Sequence, residues 1–201
     1  MTRSRGGHTL KTQTAHGNMP KPTVLVFAGP NGSGKSTITR MMPHCGVYVN
    51  ADDLKKEYAL TDLEAAQKAE AVRNKLAKKR IDFTFETVLS TERNLLLLRN
   101  AKGNGYGVQC IYVLTCSADI NVARVRGRVR EGGHDVPEGK IRSRYAKALE
   151  LLPQVIDVCD KMLIYDNSVM PFLVFRKDEN GNAYFPTAIW PMEKLKALLK
   201  R

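Results

Sequence analysis

The stretch Thr23–Thr37 reads TVLVFAGPNGSGKST, and its reading decides the fold. Val24 to Ala28 form an unbroken apolar run, as a strand buried on both faces requires. The run enters a glycine-rich turn that ends in Lys35, Ser36 and Thr37. Gly29, Gly34, Lys35 and Ser36 complete the pattern G-x-x-x-x-G-K-[ST], a phosphate loop set between a strand and a helix. The glycines let backbone N–H groups turn inward around an anion. The N-terminus of the following helix adds the positive end of its dipole at the same point. Gly29, Pro30, Asn31, Gly32, Ser33, Gly34, Lys35, Ser36 and Thr37 are therefore the expected nucleotide-binding segment. Lys35 is expected to reach the β- and γ-phosphates and Ser36 to hold Mg²⁺. The loop predicts a bound nucleoside triphosphate and leaves the phosphoryl acceptor open.

Outward from the loop, strands and helices alternate. A short helix from Lys35 ends before Pro43, and Gly46–Asn50 reads as a second strand that delivers Asp52 and Asp53. A helix is expected from Asp53, and a longer one over Asp62–Arg80, capped by Thr61 or Asp62, with a partial apolar stripe through Leu63, Ala66, Ala69 or Glu70, Val72 or Arg73, and Leu76. The alternating segment DFTFETVLS gives a third strand ending near Glu86 and Thr87. The four-leucine run Leu95–Leu98 predicts buried core in a helix over Glu92–Ala101, and Val108–Leu114 is a fourth strand. Ser117 is placed to cap a helix over Ala118–Arg130 whose core face would carry Val122, Val125 and Val129. A further helix, Glu138–Leu152, is expected to stop at Pro153, before a fifth strand at Lys161–Tyr165. Asn180-Gly181 between two apolar runs predicts a β-hairpin, followed by a final helix over Pro191–Leu199. The fold class is α/β, a doubly wound parallel sheet with a C-terminal hairpin and helix. Residues 23–201 read as one domain, with an arginine-rich segment at 124–147 and the hairpin and helix at 170–201; residues 1–22 lack any hydrophobic period and read as a disordered tail.

Composition narrows the function classes. The chain has 201 residues, 43% of them hydrophobic, enough for one cored domain. No apolar run approaches the roughly 20 residues that span a bilayer, and no apolar segment follows the basic N-terminus as in a secretory signal. A cytoplasmic location without membrane contact is expected. The four cysteines form no C-x-x-C pair and suit a reducing compartment, with Cys110 as a buried small hydrophobe. A net charge of +12 implies an anionic partner, either a nucleotide-like small molecule or nucleic acid.

Ligands of such sheets sit beyond the C-terminal ends of the strands, which singles out three segments. Asp52 follows the second strand and is the candidate carboxylate that accepts the hydroxyl proton of an acceptor; Asp53 is its competitor, assigned to capping the helix. Glu86 ends the third strand, where a carboxylate can support Mg²⁺ or bind the acceptor, with Thr87 and Ser90 as candidate acceptor contacts. Arg124, Arg126, Arg128, Arg130, Arg142 and Arg144 form a cluster on two helical segments joined by Gly-Gly-His-Asp-Val-Pro. Guanidinium groups suit a transferring phosphoryl because they grip its oxygens in a planar fork and keep their proton. The connector fits the hinge of a closing lid, in which His134 either donates to a phosphate or caps the turn.

Taken together, GPNGSGKST, VNADDL, FTFETVLS, RVRGRVREGGHDVPEGKIRSRY and YDNS resemble, in order, the zeta toxin family of phosphate-loop kinases. The resemblance spans about residues 23–168. It implies a kinase sheet of strand order 2-3-1-4-5, ATP or GTP with Mg²⁺, and as acceptor the 3′-hydroxyl of a UDP-N-acetyl amino sugar. It also implies a toxin–antitoxin setting with an antitoxin protein as partner. Carried over by position, Lys35 and Ser36 belong to the phosphate loop, Asp52 matches the general base and Glu86 the carboxylate ending the third strand. Arg128 falls at the first lid arginine; the second is Arg142 or Arg144. Asp166 and Asn167 lie where a loop contacting the nucleotide base would be.

Two other readings stand beside a nucleotide-sugar kinase. One is a kinase of nucleosides or nucleic-acid ends. The other is a non-catalytic ATP-binding regulatory or RNA-binding module. RNA-stacking surfaces want exposed aromatics among their basic residues, and near the arginine cluster only Tyr145 qualifies.

Overall fold

The computed structural model describes residues 21–200. Most of the tail expected over residues 1–22 lies outside them; Pro22, within them, accepts a hydrogen bond from the Gly107 N–H at 2.7 Å. In chain order the elements are β1 (Thr23–Ala28), α1 (Lys35–Met41), β2 (Val47–Val49), α2 (Ala51–Tyr58), α3 (Asp62–Lys78), β3 (Phe83–Thr87), α4 (Glu92–Gly103), β4 (Gly107–Leu114), α5 (Ala118–Arg130), α6 (Glu138–Val158), β5 (Lys161–Asp166), β6 (Phe172–Asp178), β7 (Gly181–Tyr184) and α7 (Met192–Leu199).

One seven-stranded sheet runs in the order β2-β3-β1-β4-β5-β6-β7. The first five strands are parallel and follow the expected order, with Phe27 beside Glu86 in the β1–β3 register. The C-terminal hairpin is not a separate appendage: β6 adds antiparallel to β5 and carries β7 outward. Asp178 pairs with Gly181, so the two-residue loop is Glu179-Asn180, and Gly181 opens β7 at φ 105°. Among the described residues no helix is long and apolar enough to cross a membrane.

Alternation along the strands builds two cores. Val24, Val26, Phe83, Phe85, Val108, Tyr112, Met162 and Ile164 face α4, α6 and α7, whose Leu98, Leu152, Ile156 and Leu195 close the main core. Leu25, Phe27, Ile111 and Val113 face the other way, under Ile38 of α1. A third, small cluster of Val122, Val125, Val136 and Ile141 joins α5 to the start of α6.

Several local expectations change in the folded chain. Helix α6 runs through Pro153 to Val158, because Leu152, Val155 and Ile156 are buried against the sheet on either side of it. Proline removes one helical hydrogen bond, a local loss that burial on both sides outweighs. Val129 is 36% exposed, since the α5 cluster ends at Val125. The buried face of α3 takes Ala69 and Arg73 from the alternatives in the expected stripe and adds Ala65, while Leu63 is exposed. Within the leucine run, Leu95 and Leu98 are buried and Leu96 faces outward. Thr61 caps α3 with a complete capping box to Glu64. Helix α2 starts earlier than expected and is capped by neither aspartate; Asn50 is its N-cap, its side chain accepting from the Asp52 N–H at 2.8 Å. Cys110 and Cys159 are buried, and all four cysteines are free thiols.

Candidate active site

The phosphate loop joins β1 to α1 and is shaped by close approaches that exclude side chains. Gly29 has φ 140°, and a Cβ there would lie 2.0 Å from the Val113 carbonyl oxygen. Gly34 has φ 92°, and a Cβ there would lie 2.2 Å from Asn167 Nδ2. The loop is held from outside as well. Asn121 Nδ2 donates to the Asn31 carbonyl at 2.8 Å, and Asn167 Nδ2 donates to the Ser33 carbonyl at 2.8 Å. Thr37 N–H donates to the Gly34 carbonyl at 3.2 Å, while the N–H groups of Lys35 and Ser36, the first two of α1, have no carbonyl ahead of them in the helix. The buried Ser33 hydroxyl has no hydrogen-bond partner. A rigid cradle with unspent donors fits an anionic, phosphate-rich ligand.

Lys35 donates from Nζ to the Pro30 carbonyl at 3.1 Å. Burial pushes its pKa down to about 8; nearby Glu86 and Asp52 oppose the shift, and Arg128 adds to it. A bound polyphosphate favours the ammonium form, so binding takes up a proton wherever free Lys35 has lost one. Affinity for nucleotide is therefore expected to hold from pH 6 to 7. It then falls as pH rises through about 8, approaching about tenfold per unit above it. Calorimetric titration with ATP at pH 7, 8 and 9, in buffers of different ionisation enthalpy, measures both the loss and the proton uptake. Affinity independent of pH over this range overturns the assignment.

Glu86 is the centre of a hydrogen-bonded chain. Its Oε2 accepts from Ser36 Oγ at 2.9 Å, and its Oε1 accepts from Tyr48 Oη at 2.7 Å. Asn50 Nδ2 donates to Tyr48 Oη at 3.0 Å, and Asn50 Oδ1 holds the Asp52 N–H. Burial, then the bond to Glu86, pushes the Tyr48 phenol up, so it stays a donor. His44 stacks on Tyr48 with ring centroids 4.5 Å apart. Lys35, Ser36, Glu86 and Asp52 thus share one crevice at the strand ends. Tyr48 and Asn50, absent from the sequence-based site, are what link them. Two hard oxygens, on Ser36 and Glu86, fit an Mg²⁺ ion that takes its other ligands from phosphates and water. Among the described residues no group of three or more His, Cys, Asp or Glu could cage a metal by itself.

The arginines divide by direction. Arg144 reaches the loop, donating from Nη1 to Asn31 Oδ1 at 3.3 Å. Arg142 turns away: it bridges Glu138 at 2.9 Å and Asp119 at 2.7 Å. Arg126 also pairs with Glu138. Arg128 donates to the His134 carbonyl at 2.6 Å, so the connector's backbone holds it. Arg124, on the loop-facing side of α5, donates to the Ser168 carbonyl at 3.1 Å. Asp166 is buried and accepts from Ser168 Oγ at 2.6 Å, which commits it to its own turn; Asn167 serves the phosphate loop instead. Thr87 points to the opposite face of β3 from Glu86, its hydroxyl accepting from the Leu89 N–H and from Asn94 Nδ2. Ser90, half-buried, follows in the turn before α4. Tyr145 donates its hydroxyl to the Thr115 carbonyl at 2.7 Å, which anchors α6 to the end of β4 rather than offering a free stacking ring.

The sequence pattern of one family, described as Zeta toxin, matches residues 7–173. The chain belongs to the zeta toxin family. With the phosphate loop this makes it a phosphate-loop phosphotransferase. A relative from Haemophilus influenzae, described as uncharacterized, is 30% identical over 127 residues, covering 60% of this chain and 91% of that one. Among solved structures, one from the PezAT chromosomal toxin–antitoxin system of Streptococcus pneumoniae superposes with a TM-score of 0.57 at 17% identity, over 90% of this chain and 79% of that one. The AvrRxo1-ORF1:-ORF2 complex with ATP gives a TM-score of 0.67 at 15% identity, over 90% of this chain and 63% of that one. At these identities the two structures speak to the fold of the zeta family member alone.

Proposed function

We propose that this zeta-family chain transfers the γ-phosphoryl group of ATP or GTP to a hydroxyl of a UDP-N-acetyl amino sugar. The observation that supports the reading is that Glu86, bonded to Ser36 and Tyr48, and Asp52, whose N–H is held by Asn50, both act on the charge of Lys35. The loop N–H groups and Lys35 bind and orient the donor phosphates. Asp52, exposed at the first turn of α2, accepts the proton of the attacking hydroxyl as its oxygen bonds to phosphorus and the bond to the β-phosphate oxygen breaks. Ser36 and Glu86 would hold Mg²⁺, which neutralises charge on the phosphates when bound. Arg128 and Arg144 grip the transferring group. Helix α5, the connector and the start of α6 act as its lid, and their separate apolar cluster lets them move as one piece.

An antitoxin protein is the partner this reading carries over from the PezAT toxin–antitoxin system. The deciding experiment incubates the protein with labelled ATP, Mg²⁺ and a panel of UDP-sugars, nucleosides and oligonucleotide ends. Label on UDP-N-acetyl amino sugars is the expected result; label confined to oligonucleotide ends or nucleosides overturns the acceptor assignment. Tyr48→Phe removes one hydrogen bond to Glu86 while keeping the ring under His44. It is expected to lower kcat by about threefold to tenfold, the cost of one charge-assisted bond, with ATP affinity unchanged. Steady-state kinetics at varied ATP measures both.

A further inference from the structure

On the face of β3 turned away from the phosphate loop, α3 and α4 enclose a groove of about 420 Å³, lined by Glu70, Arg73, Asn74, Arg93, Asn94 and Asn100 among others. Arg73 is only 7% exposed. Its guanidinium lies over the Phe85 ring, 4.9 Å from the centroid, and its Nη2 makes one long hydrogen bond to Asn94 Oδ1 at 3.4 Å. Its Nε is buried and has no partner. The nearby acid, Glu70, is committed to Arg93 at 3.3 Å. Two guanidinium groups therefore share a single carboxylate. A buried guanidinium cannot discard its proton, and a buried charge without a counter-ion is costly. The apolar stripe Ala65–Ala69 leads directly to this residue, where an uncharged side chain would pack without that cost.

We propose that the α3–α4 groove is a phosphate-binding site, in which the guanidinium groups of Arg73 and Arg93 hold a phosphate flanked by the side-chain amides of Asn74, Asn94 and Asn100. The fork geometry of guanidinium groups matches tetrahedral phosphate oxygens. The groove is also wired to the crevice. Asn94, which touches Arg73, donates from Nδ2 to Thr87 Oγ1 at 2.7 Å, and Thr87 follows Glu86 in β3. The ligand is accordingly the phosphate portion of the acceptor, an identity that rests on the phosphotransferase reading; the site itself does not. Arg73 and Arg93 are positioning residues in this scheme, remote from the reacting atoms.

The test fills the phosphate loop first. Protein saturated with a non-hydrolysable ATP analogue and Mg²⁺ is titrated with UDP and, separately, with inorganic phosphate. Calorimetry reads affinity, and ¹⁵N NMR follows the Arg73 Nε–H resonance, assigned by its loss in Arg73→Lys. One further UDP is expected to bind and to shift that resonance. Its affinity is expected to fall at least tenfold in Arg73→Lys and in Arg93→Ala, while affinity for the ATP analogue is unchanged. Inorganic phosphate binding as tightly as UDP supports the anion site and detaches it from the acceptor. No binding of either probe once the loop is saturated, or binding that neither variant weakens, overturns the proposal. If Arg73→Lys does not fold, Arg93→Ala, at the exposed rim, carries the test. Binding is read without transfer. An inactive protein that binds UDP here keeps the groove and loses the kinase reading; an active one that does not bind loses the groove alone.

Discussion

Asp52→Asn is expected to lower phosphoryl transfer by about 10²–10⁴-fold while nucleotide affinity stays within about twofold. The substitution keeps the size of the side chain and the N–H that Asn50 receives, so α2 starts where it did. What it removes is a group able to take the acceptor's proton as the oxygen attacks. Donor binding depends on the loop, Lys35 and Ser36, none of which bonds to Asp52. Asp53→Asn is the matched control: Asp53 shares the first turn of α2 but lies outside the hydrogen-bonded chain that ends at Asp52, and its loss is expected to change turnover by less than about threefold. Single-turnover transfer and equilibrium titration with an ATP analogue separate the two effects. Transfer at the parent rate in Asp52→Asn removes Asp52 from the chemistry, and an equal loss in Asp53→Asn removes the distinction between them.

How much of this site was legible in the sequence depended on the range of the interactions that build it. The phosphate loop is local: glycines, lysine and serine stand at fixed spacing, and the strand before them is an unbroken apolar run. Glu86 was legible as a strand end. Its partner Tyr48 was not, because the contact exists only once β2 lies beside β3 with Val49 opposite Phe85. Asn50 carries a local signal, an Asn directly before a helical start, which is the strongest class of N-cap. Reading Asp53 as the cap placed the start of α2 too late. Pro153 misled in the opposite sense, since a local rule about proline yielded to apolar residues packed on both sides of it. Arg73 entered the expected stripe of α3 only as an alternative to Val72. Its stripe begins with two alanines, and nothing local separates a buried arginine from a solvated one four residues further along the same face.

The arginines show the same limit and give the sharpest contrast for experiment. Arg142 and Arg144 are two residues apart, and their spacing alone cannot say which meets the transferring phosphoryl. The direction in which α6 lies against the loop separates them. That direction is set by Tyr145 bonded to Thr115 and by Ile141 in the cluster with Val122 and Val125. It turns Arg144 toward Asn31 and leaves Arg142 between Glu138 and Asp119 on the outer side. Arg144→Ala is therefore expected to lower kcat by about 10³-fold, in the range that a guanidinium at a transferring phosphoryl contributes. Arg142→Ala is expected to change kcat by less than about threefold, because exposed ion pairs contribute little and are screened by salt. Arg144→Lys separates charge from geometry. It keeps the positive charge and loses the planar fork, so an activity between those of the parent and the alanine variant identifies bidentate contact as part of the effect. Pre-steady-state transfer from ATP in the three variants, each checked for an unchanged melting temperature, measures the contrast. Equal damage from Arg142→Ala and Arg144→Ala, or the reverse order, means that the lid closes with α6 rotated from the position in which Arg144 meets Asn31, and the assignment of the second arginine passes to Arg142.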